Sequence, residues 1–122
     1  MSRFEGVADL APQRIWEGVT ARAVHGERLT LALIELDPDS IVPEHAHDNE
    51  QVGIMVEGSF EMRVGGETRE LRRGDTWSIP PDEPHEVRVG PEGAVVVEVW
   101  APGREEWKTI ERQPPSEPRA FS

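Results

Sequence analysis

Four residues of this chain have the types and spacings of a metal-binding set: His45, His47, Gln51 and His85. His45 and His47 stand two apart, so in an extended backbone their imidazoles project to the same side. Gln51 keeps that parity four residues on, and a bend across Asp48-Asn49 would return it to the same ion. His85 lies far downstream, just past the proline-rich corner Pro80-Pro81-Asp82-Glu83-Pro84. Three imidazoles and one amide oxygen suit a divalent first-row transition metal, with nickel, zinc, iron, manganese and cobalt all open. The chain has no cysteine, which excludes a thiolate site. Because every ligand is neutral, a bound dication would keep a charge of about +2, acting as a stronger Lewis acid than it would beside a glutamate and attracting anions. Imidazole binds metal only when neutral and titrates near ~6.5 when free, so the pattern predicts metal loss below about pH 6.

Two more residues bear on chemistry. Glu98 interrupts the apolar run Val95-Val96-Val97-Glu98-Val99. It either faces solvent from an edge strand or stands in a pocket with Trp100 as a general acid/base. Arg104 follows Pro102-Gly103, either as a solvated residue at a helix start or as a fork for a substrate carboxylate. Met55, Phe60, Met62 and Trp77 read as core or pocket wall. His25, in the turn His25-Gly26-Glu27, reads as a surface histidine.

These residues must be carried by strands. Val19–Val24 alternates weakly, and Arg28–Leu36 reads as a largely buried strand after the His25 turn. Asp37–Ser40 breaks the chain before the ligand segment. Gln51–Val56 alternates, with Gln51, Gly53 and Met55 on one face and Val52, Ile54 and Val56 on the other. Gly58 reads as a turn, and Ser59–Val64 as the first arm of a hairpin closed by Gly65-Gly66. Glu67–Arg72 is a charged outer strand, and Thr76–Ile79 and His85–Val89 are short strands. Pro91-Glu92-Gly93 reads as another turn before the last strand, Ala94–Ala101. Arg104–Glu111 suits a short C-terminal helix. Short strands with turn residues between them predict an all-β jelly-roll barrel. The 122 residues make one domain, with a core over about 14–104, a lead-in segment at 1–13 and a tail at 112–122 that is flexible or strapped across a partner.

The ligand spacing resembles the two motifs of the cupin superfamily. The first, His-x-His, three residues, an acidic or amide ligand, six residues and Gly, falls on His45, His47, Gln51 and Gly58. The second, Gly, five residues, Pro-x-Gly, two residues and His, falls on Gly74, Pro80, Asp82 and His85. Asp39 and Asp82 stand where the motifs usually have glycine, and Val89 where motif two ends in Asn. The resemblance covers about Asp39 to Arg104. Within it, Gln51-Val52-Gly53, Val56-Glu57-Gly58, Gly65-Gly66-Glu67-Thr68 and Val97–Trp107 are similar to the KdgF-type pectin-degradation cupins. Their C-terminal pattern falls on Glu98, Val99, Trp100, Pro102, Arg104, Glu106 and Trp107, with Glu98 where Asp is usual and Trp100 where Phe is usual. The resemblance implies linearisation of a 4,5-unsaturated uronate. In it His45, His47, Gln51 and His85 would hold the metal, Glu98 would move the proton and Arg104 would hold the carboxylate. A metal-dependent dioxygenase and a non-catalytic binder of small sugar acids are the competing expectations.

The formal charge of −11, from 24 acidic and 13 basic residues, argues against nucleic acid and against anionic membranes as partners. No apolar run approaches the roughly 20 residues that span a bilayer. The first residues lack a signal-peptide pattern, and with no cysteine the expected compartment is the cytoplasm. A small anionic sugar-derived substrate is the expected partner. The family resemblance adds a homodimer through the outer strands and terminal segments.

Overall fold

A computed structural model describes residues 3–120. Eight strands follow one another: β1 (Gln13–Trp16), β2 (Val19–His25), β3 (Thr30–Leu36), β4 (Ile41–His45), β5 (Glu50–Val64), β6 (Glu67–Arg72), β7 (Thr76–Ile79) and β8 (His85–Ala101). All pairings are antiparallel. The fold is the all-β jelly roll that the sequence predicts.

Its framework is the pair β5 and β8, strands of 15 and 17 residues. The sequence reading had each of them as two strands parted by turns at Gly58 and at Pro91-Glu92-Gly93. Both instead run through, bent at one shared level. Gly58 and Gly93 both have positive φ, at 80° and 77°. A side chain at Gly58 would run into the Gly93 carbonyl, so only glycine lets the two bends nest. The bend divides the pair between two sheets. Glu50–Gly58 of β5 pairs with Ala94–Ala101 of β8, flanked by β7 and by β3, β2 and β1. Beyond the bend, Phe60–Val64 pairs with His85–Val89, flanked by β6 and by β4. The Gly65-Gly66 hairpin joins β5 to β6 as predicted.

Alternation along these strands fills the interior with Ala21, Ile34, Leu36, Met55, Phe60, Met62, Val87, Val96 and Trp100. On the outer side, Leu33, Val95 and Ala120 form a second small cluster with Val7 and Val97 packed against it. The C-terminal segment is therefore docked on its own sheet. Arg119 bonds the Glu35 carboxylate and the Leu36 and Ala94 carbonyls, and Ser116 accepts from the buried Arg22. At the other end, Gln13 lies in β1 rather than in a loose lead-in. Its buried amide donates to the Trp107 and Ile110 carbonyls at 2.7 and 2.8 Å. The expected C-terminal helix is a single 3-10 stretch, Glu105–Thr109, with Val7–Asp9 a second near the N-terminus. Five residues after Pro102-Gly103 are too few to hold an α-helix in water.

Candidate metal centre

His45 closes β4, His85 opens β8, and the two are directly paired across the strands. Their ring centroids are 4.3 Å apart, and His47, in the loop after β4, lies 5.5 Å from His45 and 5.0 Å from His85. Ligand atoms of all three fall within 4.8 Å of one another. The backbone sets each ring. His45 Nδ1 faces the Pro43 carbonyl at 2.8 Å, His85 Nδ1 the Glu83 carbonyl at 2.9 Å and His47 Nδ1 the Asn49 carbonyl at 3.0 Å. A carbonyl only accepts, so each Nδ1 carries the proton and each Nε2 presents a lone pair. His85 Nε2 is buried and has no hydrogen-bond partner, the condition of an atom awaiting a metal. His47 Nε2 stands 3.1 Å from Gln51 Oε1. Neighbouring ligands on one ion, each ~2.1 Å from it, lie ~3 Å apart, so this spacing suits two adjacent coordination positions. The four residues therefore fit a divalent transition metal.

Both motif aspartates sit where glycine's freedom is used. Asp39 and Asp82 have φ of 61° and 65°. Aspartate is among the few side chains that tolerate this left-handed region, so the two departures leave the loop geometry intact. Burial, the chief cause, lowers the pKa of His85 to about 4 and also lowers that of His47. At these two rings protons compete with a metal only in more acid solution than the residue pattern alone suggests.

Glu98 faces inward and is 8% exposed. Its Oε2 accepts from the Gln51 amide and, at 2.8 Å, from Trp77 Nε1. Both donors are neutral, and burial raises the carboxyl's pKa. A carboxylate that accepts from Nε2 turns the other end of the Gln51 amide, Oε1, toward His47, so one side chain joins the acid to the ligand set. Trp77 reaches Glu98 across Gly53, which pairs with both of them on neighbouring strands. A Cβ at Gly53 would lie 2.5 Å from the indole. The glycine is a crossing point, and Trp77 is more than pocket wall.

Arg104 lies over the faces of Trp107 and Trp100, at 4.9 and 5.6 Å from the ring centroids, and Nε bonds Glu106 at 3.0 Å. Its main-chain N–H donates to Thr30 Oγ1, and Asn49 Nδ2 donates to the Pro102 and Gly103 carbonyls just before it. Asn49 thus ties the arginine loop to the loop of His47. The contacts of Asn49 and Thr30 with the Arg104 loop lie too far along the chain for local pattern to show them. His25 is half-buried rather than a plain surface residue, its Nδ1 2.9 Å from Thr30 Oγ1. His45, Gln51, His85, Glu98 and Arg104 all border one cavity that encloses about 590 Å³ including its open mouth.

A sequence profile described as "Cupin domain" matches residues 32–100, more than half of the chain. The chain belongs to the cupin family. This cupin is 27% identical over 94 residues to the pectin degradation protein KdgF of Dickeya dadantii (strain 3937), covering 75% of this chain and 86% of that one. In three dimensions it is similar to an RmlC-like cupin from Shewanella frigidimarina NCIMB 400, with a TM-score of 0.80, 26% identity, and 87% and 96% of the two chains covered. The KdgF structure from Halomonas sp. gives a TM-score of 0.79 at 23% identity over 87% and 98% of the chains. A variant of Bacillus subtilis oxalate decarboxylase gives 0.73 at 24%, the cupin covering 31% of that longer chain. The last two likenesses concern the fold.

Proposed function

We propose that this cupin opens the ring of a 4,5-unsaturated uronate, or a closely similar sugar acid, and carries it to the linear keto form. The observation behind this reading is the Gln51 amide, which faces the histidine cluster with its oxygen and holds buried Glu98 with its nitrogen. A proton-carrying group thereby stands one amide away from the cluster that would hold the ion. Similarity to a protein named for pectin degradation agrees with it, as does the run from Glu98 to Trp107.

When bound, the divalent ion held by His45, His47, Gln51 and His85 would supply Lewis acidity toward the sugar's oxygens. Arg104, its guanidinium spread over Trp100 and Trp107, takes the substrate carboxylate. Glu98 Oε2 is anchored, which leaves Oε1 to act on substrate. It takes the proton of the C1 hydroxyl as the C1–O5 bond breaks, giving an aldehyde at C1 and an enolate at C5. The same proton, delivered to C4, turns that enolate into the C5 ketone. No atom is gained or lost, and no redox partner is needed. Burial suits Glu98 to this exchange, because a raised pKa lets the carboxyl hold a proton between the two steps.

The reading keeps the cytoplasm as its compartment and a homodimer as its assembly. For the dimer we infer a face on the outside of the sheet, where Val24, Leu31 and Val52 lie exposed along one cross-strand row with Val99. Sedimentation of the wild type against a Leu31→Glu variant would test it.

The activity test follows the C4=C5 ultraviolet absorbance of a freshly made 4,5-unsaturated monouronate. Metal-loaded protein should speed its loss above the spontaneous rate, and both chelator and His47→Ala should abolish the gain. Metal-loaded protein that binds the acid without speeding its decay would instead support a sugar-acid binder. Oxygen consumption with an iron-loaded sample would point to a dioxygenase.

A further inference from the structure

Trp16 sits on the cavity because β1 breaks its own alternation. Gln13 pairs with Ala21 and Arg14 with Thr20, but the register then slips and Trp16 pairs with Val19. Gln13, Ala21 and Val19 are buried, while Arg14 is exposed. Regular alternation would send Trp16 outward with Arg14. The bulge spends Ile15 as the extra residue and turns Trp16 to the inner side, so that both border the cavity.

The exposure of this indole is unlike that of the other tryptophans. Trp77, Trp100 and Trp107 are buried, but Trp16 is 38% exposed while bordering the same cavity. Its ring lies 5.4 Å from that of His45, tilted by 49°. An aromatic face that is half-open at a cavity mouth, beside a ligand cluster, is suited to an apolar surface of whatever occupies the cavity. In the ring-opening reading Arg104 meets the carboxylate of a sugar acid, the histidine cluster its oxygens and Glu98 the proton in transit. A pyranose ring also has flat faces of C–H bonds, and Trp16 is the cavity's half-open tryptophan, suited to meet one.

We propose that Trp16 is a specificity platform that stacks on the ring of a cyclic uronate and so favours the closed sugar over its open-chain form. The inference rests on the ring-opening reading. It adds that the contact disappears as the reaction proceeds, because the linear product has no ring face. The platform binds substrate in preference to product.

Calorimetry with metal-loaded wild type, Trp16→Ala and Trp16→Phe tests this without turnover, with D-galacturonate as the cyclic acid and L-galactonate, its C1-reduced form, as the open-chain counterpart. The metal content of each sample is measured alongside. Trp16→Ala should weaken galacturonate binding about three- to tenfold, leave galactonate binding unchanged and keep its metal, while Trp16→Phe retains most of the preference. With the unsaturated uronate, Trp16→Ala should raise KM by a similar factor and leave kcat alone. Equal loss for both acids, no loss for either, or a wild type without preference for the cyclic acid would overturn the proposal. Loss of metal in Trp16→Ala would overturn it too, by making the indole a prop for His45. A protein that keeps the cyclic preference but does not turn over would sink the reaction and spare the platform. Turnover without the preference would do the reverse.

Discussion

Among the described residues, one arginine and one glutamate are buried in this barrel, on opposite sides of the same sheet, and their surroundings differ in kind. Arg22, 3% exposed, points outward under the C-terminal segment. Its guanidinium has a carboxylate, Glu35, at 3.5 Å and the Ser116 carbonyl at 2.6 Å. Glu98 points inward, and among the described residues its bonds come only from a neutral amide and a neutral indole, both to one oxygen. A buried charge matched by an opposite charge is held in one state and serves as structure. A buried charge given only neutral donors stays close to its neutral form, and its proton can move. The contrast separates the strap from the site.

The largest effect should come from Glu98→Gln. The amide keeps the shape and its contact with Trp77 or Gln51 but cannot exchange a proton, so kcat should fall about 10²- to 10⁴-fold. Circular dichroism should be unchanged. Arg22→Ala should do the opposite. It leaves Glu35 without its buried partner and loosens the strap, lowering stability by about 3 kcal/mol in urea titration while kcat stays near wild type. If Arg22→Ala cost activity in proportion to stability, the two regions would not be separable.

Trp77→Phe sharpens the comparison from inside the site. It removes one of the two donors to Glu98 Oε2, and a hydrogen bond to a charged group is worth about 1.5–3 kcal/mol. The Glu98 pKa should rise further, which moves the acid limb of the kcat–pH profile upward and lowers the rate on that limb about tenfold. The smallest effect is on stability against pH. Burial raises Glu98 above the ordinary value of 4.5, so the folded state holds this proton more tightly than the unfolded chain. Its contribution is therefore fully present below that value and is lost as pH rises through the folded pKa. The urea midpoint of wild type should fall relative to Glu98→Gln as pH rises above the ordinary carboxyl value of 4.5. Parallel curves would mean that Glu98 is not strained by burial.

The clustering of His45, His47 and Gln51 was legible because it is local, a matter of parity and one bend, and the second cupin motif brought the distant His85 to them. The strand alternation at Gln51–Met55 was legible from parity, while Glu98 stayed open between solvent and the pocket until its strand was placed inside the sheet. The bends were not. Glycine in a strand reads as a turn until its partner is known, and Gly58 and Gly93 make sense only where they nest. Trp16 was missed because a bulge inverts parity without a residue type that signals it. Trp77 looked like wall because its purpose depends on Gly53 being empty. The tail contacts, Ser116 and Arg119 on Arg22 and Glu35, join positions more than 80 residues apart.

The claim that Glu98 moves the proton is tested most directly by proton NMR of a 4,5-unsaturated monouronate turned over in D₂O. The account predicts that metal-loaded wild type places one deuteron on a single face of C4, and that Glu98→Gln leaves only the slow spontaneous reaction with no facial preference. Rapid, one-sided deuteration by Glu98→Gln would contradict it and give the proton to another group.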